Sequence, residues 1–465
     1  MLAIVVCMIC TFAAGQTKAK SAVAPRPARA AQPVVNKQAV AILQQAASLV
    51  AQIPVPEKDY DQSRVQLLTE LGEEQWHAGD LAGARKSFDE ALSQAKLLKL
   101  GTNGMQGGSE AAQSVAIARA RLGDVAGVLP LLPLFTDVTI DYDETPRRSE
   151  VLGKLAEAEA KAGDMKAATA TAAKIENESK RTDAWMDIMQ AYIRHGDTPS
   201  AQVIFDKLTP ANKDFGTYLF VNALVDARKF PEAITMASTL HTPKKMEASD
   251  WFPPFDARAA SQGSIALAQA DEGDIAGALL TIAGLPDDDH KFDALSALVK
   301  AQRKVGDAAG AERSYSQCFT SRSKYESENH GIDTSHLAMA GRSAALLQGR
   351  AGKWTEARKT AEDGVKAKDS LFGRFALDGL VEAYVEAKDY TGALQAAAIG
   401  RKEDRARLLY GIARGQSGDV GEAAALSWVS EEATPELKAT ALIAVAQGVL
   451  QRSKGKVTEQ SPKAH

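Results

Sequence analysis

A turn pattern that recurs ten times along the chain constrains the fold more than any other feature of the sequence. Each copy consists of an alanine-rich stretch with helical periodicity, a Gly-Asp turn or a close variant, and a second helical stretch. The turns are anchored at Gly79, Gly123, Gly163, Gly196, Arg228, Gly273, Gly306, Gly352, Lys388 and Gly418. Five residues after the anchors stand nine alanines and one valine: Ala84, Val128, Ala168, Ala201, Ala233, Ala278, Ala311, Ala357, Ala393 and Ala423. This fixed spacing indicates one structural unit repeated along the chain.

The residue types at the turn have a direct physical explanation. Glycine readily adopts the left-handed conformation that ends a helix, which residues with a Cβ atom resist. The aspartate that follows can cap the next helix by accepting hydrogen bonds from its free amide groups. A small residue is needed where two helices cross closely, because a longer side chain would push them apart. The pattern therefore predicts an all-α chain of about ten helix pairs.

The first unit shows which repeat family the pattern resembles. In the stretch LGEEQWHAGDLAGARKSFDEAL the relevant positions are Leu71, Gly72, Gly79, Asp80, Ala84, Phe88 and Ala91. They stand at the spacing of the tetratricopeptide (TPR) repeat, whose period of about 34 residues lies within the observed anchor spacings of 30 to 46 residues. Over roughly residues 60–430 the chain resembles this family. The resemblance implies an alpha-alpha superhelix, a TPR-like solenoid, in which the first helix of each pair lines a concave groove.

The segments outside the repeats suggest four regions. Residues 1–15 are an apolar run ending in small residues, which is typical of a signal peptide, and residues 16–37 are a basic linker rich in Pro and Ala. Residues 38–452 are the predicted solenoid with a capping helix at each end, and residues 453–465 are a predicted disordered tail. Four insertions near residues 100–109, 135–146, 241–256 and 320–335 are predicted to be loops. The signal peptide predicts a periplasmic or secreted protein, with an uncleaved anchor or no targeting as alternatives.

The charge distribution argues against nucleic-acid binding. The formal net charge is −4, and the linker carries five cations and no acid, which leaves −9 on the rest of the chain. Because neutralising phosphate groups requires a basic face, the sequence predicts no nucleic-acid partner. It also predicts no integral membrane domain, because the N-terminal apolar run is shorter than the ~20 residues that span a bilayer.

Two groups of potential metal ligands are weak candidates. One consists of His330, Asp333 and His336, and the other is the run of three aspartates before His290. Neither group has the helical spacing that brings two imidazoles onto one face. The aspartate run suits the N-terminus of a helix, where acids are stabilised by the helix dipole. No metal site is therefore predicted.

Other catalytic signals are equally weak. The Gly-Lys pair at Gly352 lacks the spacer and the following Ser or Thr of a phosphate-binding loop. Cys318 is the one cysteine outside the N-terminal run, so the repeats contain no intramolecular disulfide. The sequence predicts a protein that is not an enzyme, with no catalytic residue and no cofactor.

Two groups of residues are candidates for binding a partner. The first is a basic stretch on the predicted first helices of units seven and eight, formed by Lys300, Arg303, Lys304, Arg342 and Arg350. An acidic stretch follows in unit nine, formed by Asp378, Glu382 and Glu386. The second group is an aromatic insertion with Trp251, Phe252 and Phe255, a residue type enriched at interaction hot spots. The alternative interpretations are a solvated helix face for the charges and a gap-filling loop for the aromatics.

These observations lead to one functional prediction and two alternatives. The predicted function is an exported scaffold that binds a protein partner or a peptide segment through its groove and inter-repeat loops. The first alternative is a helical accessory module that binds a cell-envelope glycan, and the second is a catalytic helical protein. The sequence does not identify the partner.

Overall fold

The computed structural model of the protein describes residues 34–54, 63–98, 107–135, 137–140, 143–241, 256–328, 334–366, 370–401, 404–432 and 434–460. All of them belong to one compact unit, residues 33–465. The predicted signal peptide and nearly all of the basic linker lie outside the described residues. Within the described ranges, no helix combines the length and the apolar composition needed to cross a membrane.

Helices make up almost all of the described chain, which confirms the all-α fold class and the helical-repeat architecture. Helix α1 (Lys37–Val50) precedes ten helix pairs, each consisting of a first helix with an even number and a second helix with an odd number. The pairs are α2 (Ser63–His77) and α3 (Leu81–Ala95), α4 (Gly107–Arg121) and α5 (Val125–Val128), α6 (Arg147–Lys161) and α7 (Met165–Ala172), α8 (Glu178–Arg194) and α9 (Thr198–Asp206), α10 (Pro210–Asp226) and α11 (Phe230–Ala237), α12 (Ala257–Glu272) and α13 (Ile275–Ala283), α14 (Asp289–Lys304) and α15 (Ala308–Glu328), α16 (Thr334–Arg350) and α17 (Trp354–Lys366), α18 (Ser370–Glu386) and α19 (Tyr390–Ala397), and α20 (Arg405–Asp419) and α21 (Glu422–Val429). Helix α22 (Pro435–Gln460) is the last.

The turns inside the pairs have the predicted geometry in nine of the ten units. All nine predicted anchors from Gly79 to Lys388 have a positive φ, which is 60° at the two that carry a side chain, Arg228 and Lys388. In seven of these nine units an aspartate follows the turn and its side chain caps the second helix, and in the other two units the residue is Lys229 or Lys353. In the first pair, for example, Asp80 Oδ1 accepts from the Gly83 amide at 2.9 Å. Local chemistry therefore sets where each first helix ends and each second helix begins.

The small residue five positions after each of these nine anchors is buried, as predicted, but the last unit differs. Helix α20 continues through Gly418, and the chain turns at Gly421 with a φ of 129°. Ala423 is consequently exposed, whereas Ala425 is 0% exposed and takes the place between the paired helices. Gly418 lies beside Gly448 of α22, where an added Cβ atom would come within 2.7 Å of the Gly418 nitrogen. This part of α20 therefore packs closely against α22 instead of forming a turn.

A polar side-chain pair at the same position of several helix pairs supports this shifted register. A glutamine near the end of the first helix accepts a hydrogen bond from a side chain twelve residues later. The pairs are Ser87 to Gln75, Thr281 to Gln269, Thr360 to Gln348 and Trp428 to Gln416, at 2.7–2.8 Å. Because a satisfied polar pair in a low-dielectric interior specifies one arrangement, it fixes how the two helices of a pair align.

One predicted loop contains a short β-hairpin. Strand β1 (Asp137–Ile140) pairs antiparallel with β2 (Asp143–Pro146), within the insertion predicted as a loop at residues 135–146. Asp137 also accepts from the Ser149 amide at 3.0 Å and so caps the first turn of α6. The predicted loop at 320–335 is shorter than expected, because α15 continues to Glu328 and α16 begins at Thr334. Residues 99–106 and 242–255 lie outside the described residues.

The two terminal helices pack against each other, which the repeat pattern does not predict. The sequence predicts a separate cap at each end, whereas α22 contacts α1, α2 and α20. One apolar core combines Leu43 and Ala46 of α1 with Ile443 and Ala446 of α22, all of them fully buried. Since each first helix also contacts the next first helix along the chain, the array of helix pairs closes on itself.

Helix α22 is also longer than predicted. Residues 453–460, assigned from the sequence to a disordered tail, continue the helix to Gln460. Ser453 takes part in the contact between the chain ends, since its hydroxyl accepts from Asn36 Nδ2 at 3.0 Å. Residues 461–465 lie outside the described residues.

Candidate binding surface on the first helices

Ion pairs join neighbouring first helices along the array. A cation on one first helix pairs with an acid on the next first helix at Arg194 and Asp226 (3.2 Å) and at Arg342 and Glu382 (2.5 Å). In a third pair the acid, Asp378, is on the earlier helix and the cation, Arg407, is on the later one. Most of these side chains are partly exposed, so each pair contributes less than about 1 kcal/mol. Their main effect is that the exposed sides of the first helices carry charges of both signs that compensate one another.

The most buried of these ion pairs is centred on Arg350 of α16. Its Nε and Nη2 atoms donate to the two oxygens of Glu386 at 2.9 and 2.8 Å, and its Nη1 atom donates to Ser296 Oγ at 2.9 Å. Lys300 of α14 reaches the same carboxylate at 3.1 Å. Burial opposes the charge on Glu386, but hydrogen bonds and attraction from Arg350 and Lys300 outweigh it and lower the pKa of Glu386. One carboxylate thus connects three first helices.

This arrangement changes the interpretation of the predicted basic stretch. Lys300, Arg342 and Arg350 are paired with the acids of α18, which the sequence suggests as a separate acidic stretch. Arg303 Nη1 donates to the Ala351 carbonyl at 2.6 Å and lies over the neighbouring turn, and Lys304 is exposed. Three of the five cations are therefore compensated, because carboxylates distant in sequence come within reach when adjacent first helices pack side by side. The five do not form one continuous uncompensated patch.

The other predicted sites are placed as follows. Trp251, Phe252 and Phe255 lie outside the described residues, as do His330 and Asp333. Asp288, from the aspartate run, caps α14 by accepting from the Lys291 amide at 3.1 Å, in agreement with its interpretation as a helix N-terminus. No group of three or more His, Cys, Asp or Glu side chains among the described residues could hold a metal ion.

A cleft of about 410 Å³ lies between α18, α20 and α22. Its apolar lining comes from Val381 and Val385 of α18 and Leu408 of α20. Its polar lining comes from Asp378, Glu382, Arg407, Arg414 and Gln451. An apolar floor with a few polar groups at its rim is typical of small binding sites.

Two glycines of α20 line this cleft. A Cβ atom added at Gly411 would meet no other atom within 4 Å, whereas one added at Gly415 would clash with Val385. Glycine in a helix interior costs roughly 0.5–1 kcal/mol relative to alanine. Close packing against Val385 explains Gly415, but nothing in the described structure requires glycine at Gly411.

Arg414 differs from the other charged groups of the cleft. Asp378 pairs with Arg407, and Glu382 pairs with Arg342. When the Gln451 side-chain amide is oriented with its oxygen toward Arg414, as the surrounding donors require, that oxygen accepts from Arg414 Nε at 3.1 Å. No carboxylate of the described residues forms an ion pair with Arg414. The side-chain partner of Arg414 in the cleft is thus a neutral amide and not a carboxylate. The repeat pattern gives no signal for this residue, because its role depends on α22 folding against α20.

A second charged cluster lies between α6 and α8. Burial is the largest cause that raises the pKa of Asp187, and the nearby Glu157 carboxylate adds to it, whereas Lys154 and Lys161 oppose both. The resulting pKa of Asp187 is about 6. Glu157 itself accepts from Lys154 at 2.8 Å and from Lys161 at 2.6 Å, so Asp187 is the less well stabilised carboxylate of the two.

A smaller cleft of about 250 Å³ lies between α8, α9 and α10. Trp185, Ile204 and Leu208 form its apolar part, and Arg181 and Asn212 are among its polar groups. Arg181 is held in place because its Nη1 atom donates to the Ile175 carbonyl at 2.9 Å. This cleft therefore brings a tryptophan together with polar side chains.

Comparisons with known proteins add little to this description. No protein-family model and no curated protein matches the chain. Among solved structures the chain is similar to the pentatricopeptide repeat protein PPR10 from maize, with 12% sequence identity, 92% of this chain and 73% of that chain covered, and a TM-score of 0.26. A similarity this weak carries no argument about function. The helical-repeat architecture is established by the turns, the buried alanines and the helix pairs themselves, and the more specific likeness to TPR proteins remains a resemblance.

Proposed function

We propose that this protein is a non-catalytic scaffold that binds a short extended segment of a partner protein in the cleft between α18, α20 and α22. The observation that carries the proposal is the combination, in one cleft, of an apolar lining, an open space at Gly411 and a cation, Arg414, that has no ion-pair partner among the described residues. Helical repeat arrays commonly bind partners through extended surfaces of this kind. A volume of about 410 Å³ suits a few side chains of a peptide segment.

The lining of the cleft favours a particular ligand chemistry. Val381, Val385 and Leu408 suit an apolar side chain, and Arg414 suits an adjacent carboxylate, because charge-assisted hydrogen bonds to guanidinium groups are strong. The remaining charges of the cleft are already paired. We therefore expect the bound segment to carry an Asp or Glu next to an apolar residue.

A random peptide library displayed on phage tests this function without knowledge of the partner. Selected peptides should bind the wild-type protein and lose binding to Gly411→Leu, which fills the cleft. This substitution should not harm the fold, since a Cβ atom at Gly411 meets no neighbour and leucine is the better helix former. Gly153→Leu is the matched control, because Gly153 lies inside the first helix α6 and also has no atom within 4 Å of an added Cβ.

Three results would contradict the proposal. Peptides that bind Gly411→Leu as tightly as wild type would place binding elsewhere on the surface. Selected sequences rich in Lys and Arg would contradict the role of Arg414. Tight binding of a fluorescent RNA or DNA oligonucleotide that is lost in Gly411→Leu would assign the cleft to nucleic acid, although the charge of −9 outside the linker argues against it.

A glycan ligand is the second candidate, and the cleft beside Trp185 is the observation that favours it. Aromatic rings offer an apolar face to sugar rings, and Arg181 and Asn212 could bond to hydroxyl groups. Binding of cell-envelope glycan fragments that is lost in Trp185→Ala but kept in Gly411→Leu would support this candidate. The same fragments failing to bind wild type would remove it.

We further propose that the protein is exported to the periplasm or secreted. The apolar run at residues 1–15, which ends in small residues, supports this localisation. Mass spectrometry of the protein from its native cells should find a mature N-terminus at or near Gln16. An intact Met1 on protein from the cytosolic fraction would contradict the proposal.

A further inference from the structure

Helix α22 has the surroundings of a first helix. It follows the second helix α21 and packs on the preceding first helix α20. At Gly448 the approach to α20 is so close that a Cβ atom would clash with the Ser417 hydroxyl and the Arg414 carbonyl. In each of the ten pairs a second helix covers the first helix. The helix that covers α22 comes from the other end of the described chain.

Helix α1 occupies this position and runs antiparallel to α22. Asn36, at the start of α1, meets Ser453 in the C-terminal half of α22, whereas Leu49, near the end of α1, lies beside Lys438 and Leu442 in its N-terminal half. Asn36 caps α1 by accepting from the Ala39 amide at 3.0 Å, which is the role of aspartate in the regular second helices.

The same two helices connect to the first unit. The backbone N–H of Asn36 donates to the Ala78 carbonyl, just after α2, at 2.9 Å. Gln447 Nε2 of α22 donates to Glu74 Oε1 of α2 at 2.7 Å. The core around Leu43 also contains Leu71 and Phe88 from the first regular pair. Helices α1 and α22 together therefore take the position of one more repeat unit between the last pair and the first.

We infer that α1 is the second helix of an eleventh pair, assembled from the two ends of the chain, and that its docking regulates the cleft between α18, α20 and α22. The regulatory part rests on the proposed function. Gln451, which lines that cleft and holds Arg414, directly follows Val449 and Leu450, two members of the core that includes Leu43 of α1. Loss of α1 exposes the apolar side of α22 and leaves the part of α22 that carries Gln451 free to move away from the cleft.

Docking of α1 and binding of a ligand in the cleft are thermodynamically linked. If docking of α1 strengthens binding in the cleft, a ligand in the cleft must stabilise docking of α1 by the same factor. The chain end that closes the array would then report whether the cleft is occupied. No residue of α1 lines the cleft, so α1 acts on it through the position of α22.

Hydrogen exchange measured by mass spectrometry on the full chain tests the docking without any ligand. Leu43→Asp places a charge in the apolar core that α1 shares with α22. It should increase hydrogen exchange at least tenfold in residues 37–50 and 435–454, while α8 exchanges as in wild type. Gln44→Asp is the matched control, because Gln44 is exposed on the same helix, and should leave exchange unchanged. If α22 keeps its protection when α1 has lost it, α1 is not its second helix and the inference is wrong.

Two further measurements separate the possible outcomes. If Leu43→Asp unfolds the whole protein, Leu43→Ala provides a milder variant, and a synthetic peptide of residues 34–54 should restore protection of α22 in either one. A peptide selected in the phage screen serves as the ligand probe, and its affinity should fall at least tenfold in Leu43→Asp but not in Gln44→Asp. Unchanged affinity would overturn the regulatory part. A screen that yields no peptide would contradict the proposed function and leave the closure test intact.

Discussion

Leucine substitutions at Ala425 and Ala423 test which alanine of α21 lies between the helices of the last pair. The pattern places Ala423 between the two helices, whereas in the structure Ala425 is buried and Ala423 is exposed. Both alanines lie in α21, two residues apart, so leucine substitutions at the two positions are closely matched in chemistry and helix context. Ala425→Leu should destabilise the protein, and Ala423→Leu should not.

The expected size of the effect follows from the packing around Ala425. Its side chain is 0% exposed and belongs to an apolar core with Ala413 of α20 and Ala439 of α22. Leucine adds three carbon atoms at a place where two neighbouring side chains are themselves alanines, so the helices must move apart. Overpacking of this kind lowers the free energy of unfolding by typically 1–3 kcal/mol. At Ala423 the added atoms point into solvent, and the expected change is within about 0.5 kcal/mol.

Urea unfolding followed by circular dichroism measures the difference between the two variants. Because long repeat arrays need not unfold in one step, hydrogen exchange in residues 405–429 should accompany it and should increase only in Ala425→Leu. Equal destabilisation by both substitutions would refute the assigned register. A silent Ala425→Leu together with a damaging Ala423→Leu would restore the register that the sequence predicts.

Further predictions concern the charged groups of the first helices. Arg350→Met should lower the free energy of unfolding by roughly 1.5–3 kcal/mol, because it removes three hydrogen bonds of a guanidinium group that is only 16% exposed. Lys300→Met removes the more exposed partner of Glu386 and should cost less than about 1 kcal/mol in the same urea titrations. Asp187→Asn should stabilise the protein at pH 7. The folded-state pKa of Asp187, about 6, lies above its ordinary value of 3.8, so the ionised carboxylate opposes folding progressively as the pH rises from about 4 to about 6 and not below. The expected gain is of order 1 kcal/mol after screening of this partly exposed group, and a gain of equal size at pH 4 would contradict the assignment.

The parts of the fold that follow from local chemistry were accessible to sequence reasoning. A left-handed residue defines each turn within a few residues, and an aspartate cap follows it in seven of the nine units, so nine turns and their buried small residues are predicted correctly. Two glycines of the tenth unit, Gly418 and Gly421, lie where the turn is expected, and a local rule cannot decide which one forms it. Contact between Gly418 and Gly448 decides it, and that contact exists only when α22 packs on α20.

Most of the candidate site could not be predicted from the sequence, because it too depends on contacts between helices that are distant in sequence. Arg350 and Glu386 are separated by 36 residues in the sequence, yet they form a bidentate ion pair between adjacent first helices. The sequence shows the cations and the acids but not their alignment, which depends on the length and tilt of the intervening second helix. Arg414 carries no sequence signal at all, because its significance lies in having an amide as its partner where its neighbours have carboxylates.

Closure of the array alters how its stability is distributed. In an open repeat array each terminal unit has one neighbour, so the ends fray first and need polar caps. Here α1 and α22 cover each other, with Leu43 and Ile443 fully buried between them, and every described pair consequently has a neighbour on both sides. The contact that achieves this is non-covalent and joins the two parts of the unit most distant in sequence, which makes it the costliest contact to form in terms of chain entropy. Opening the closure between α1 and α22 would return the array to one with two terminal units, and a ligand that acts on α22 would influence both ends of the array at once.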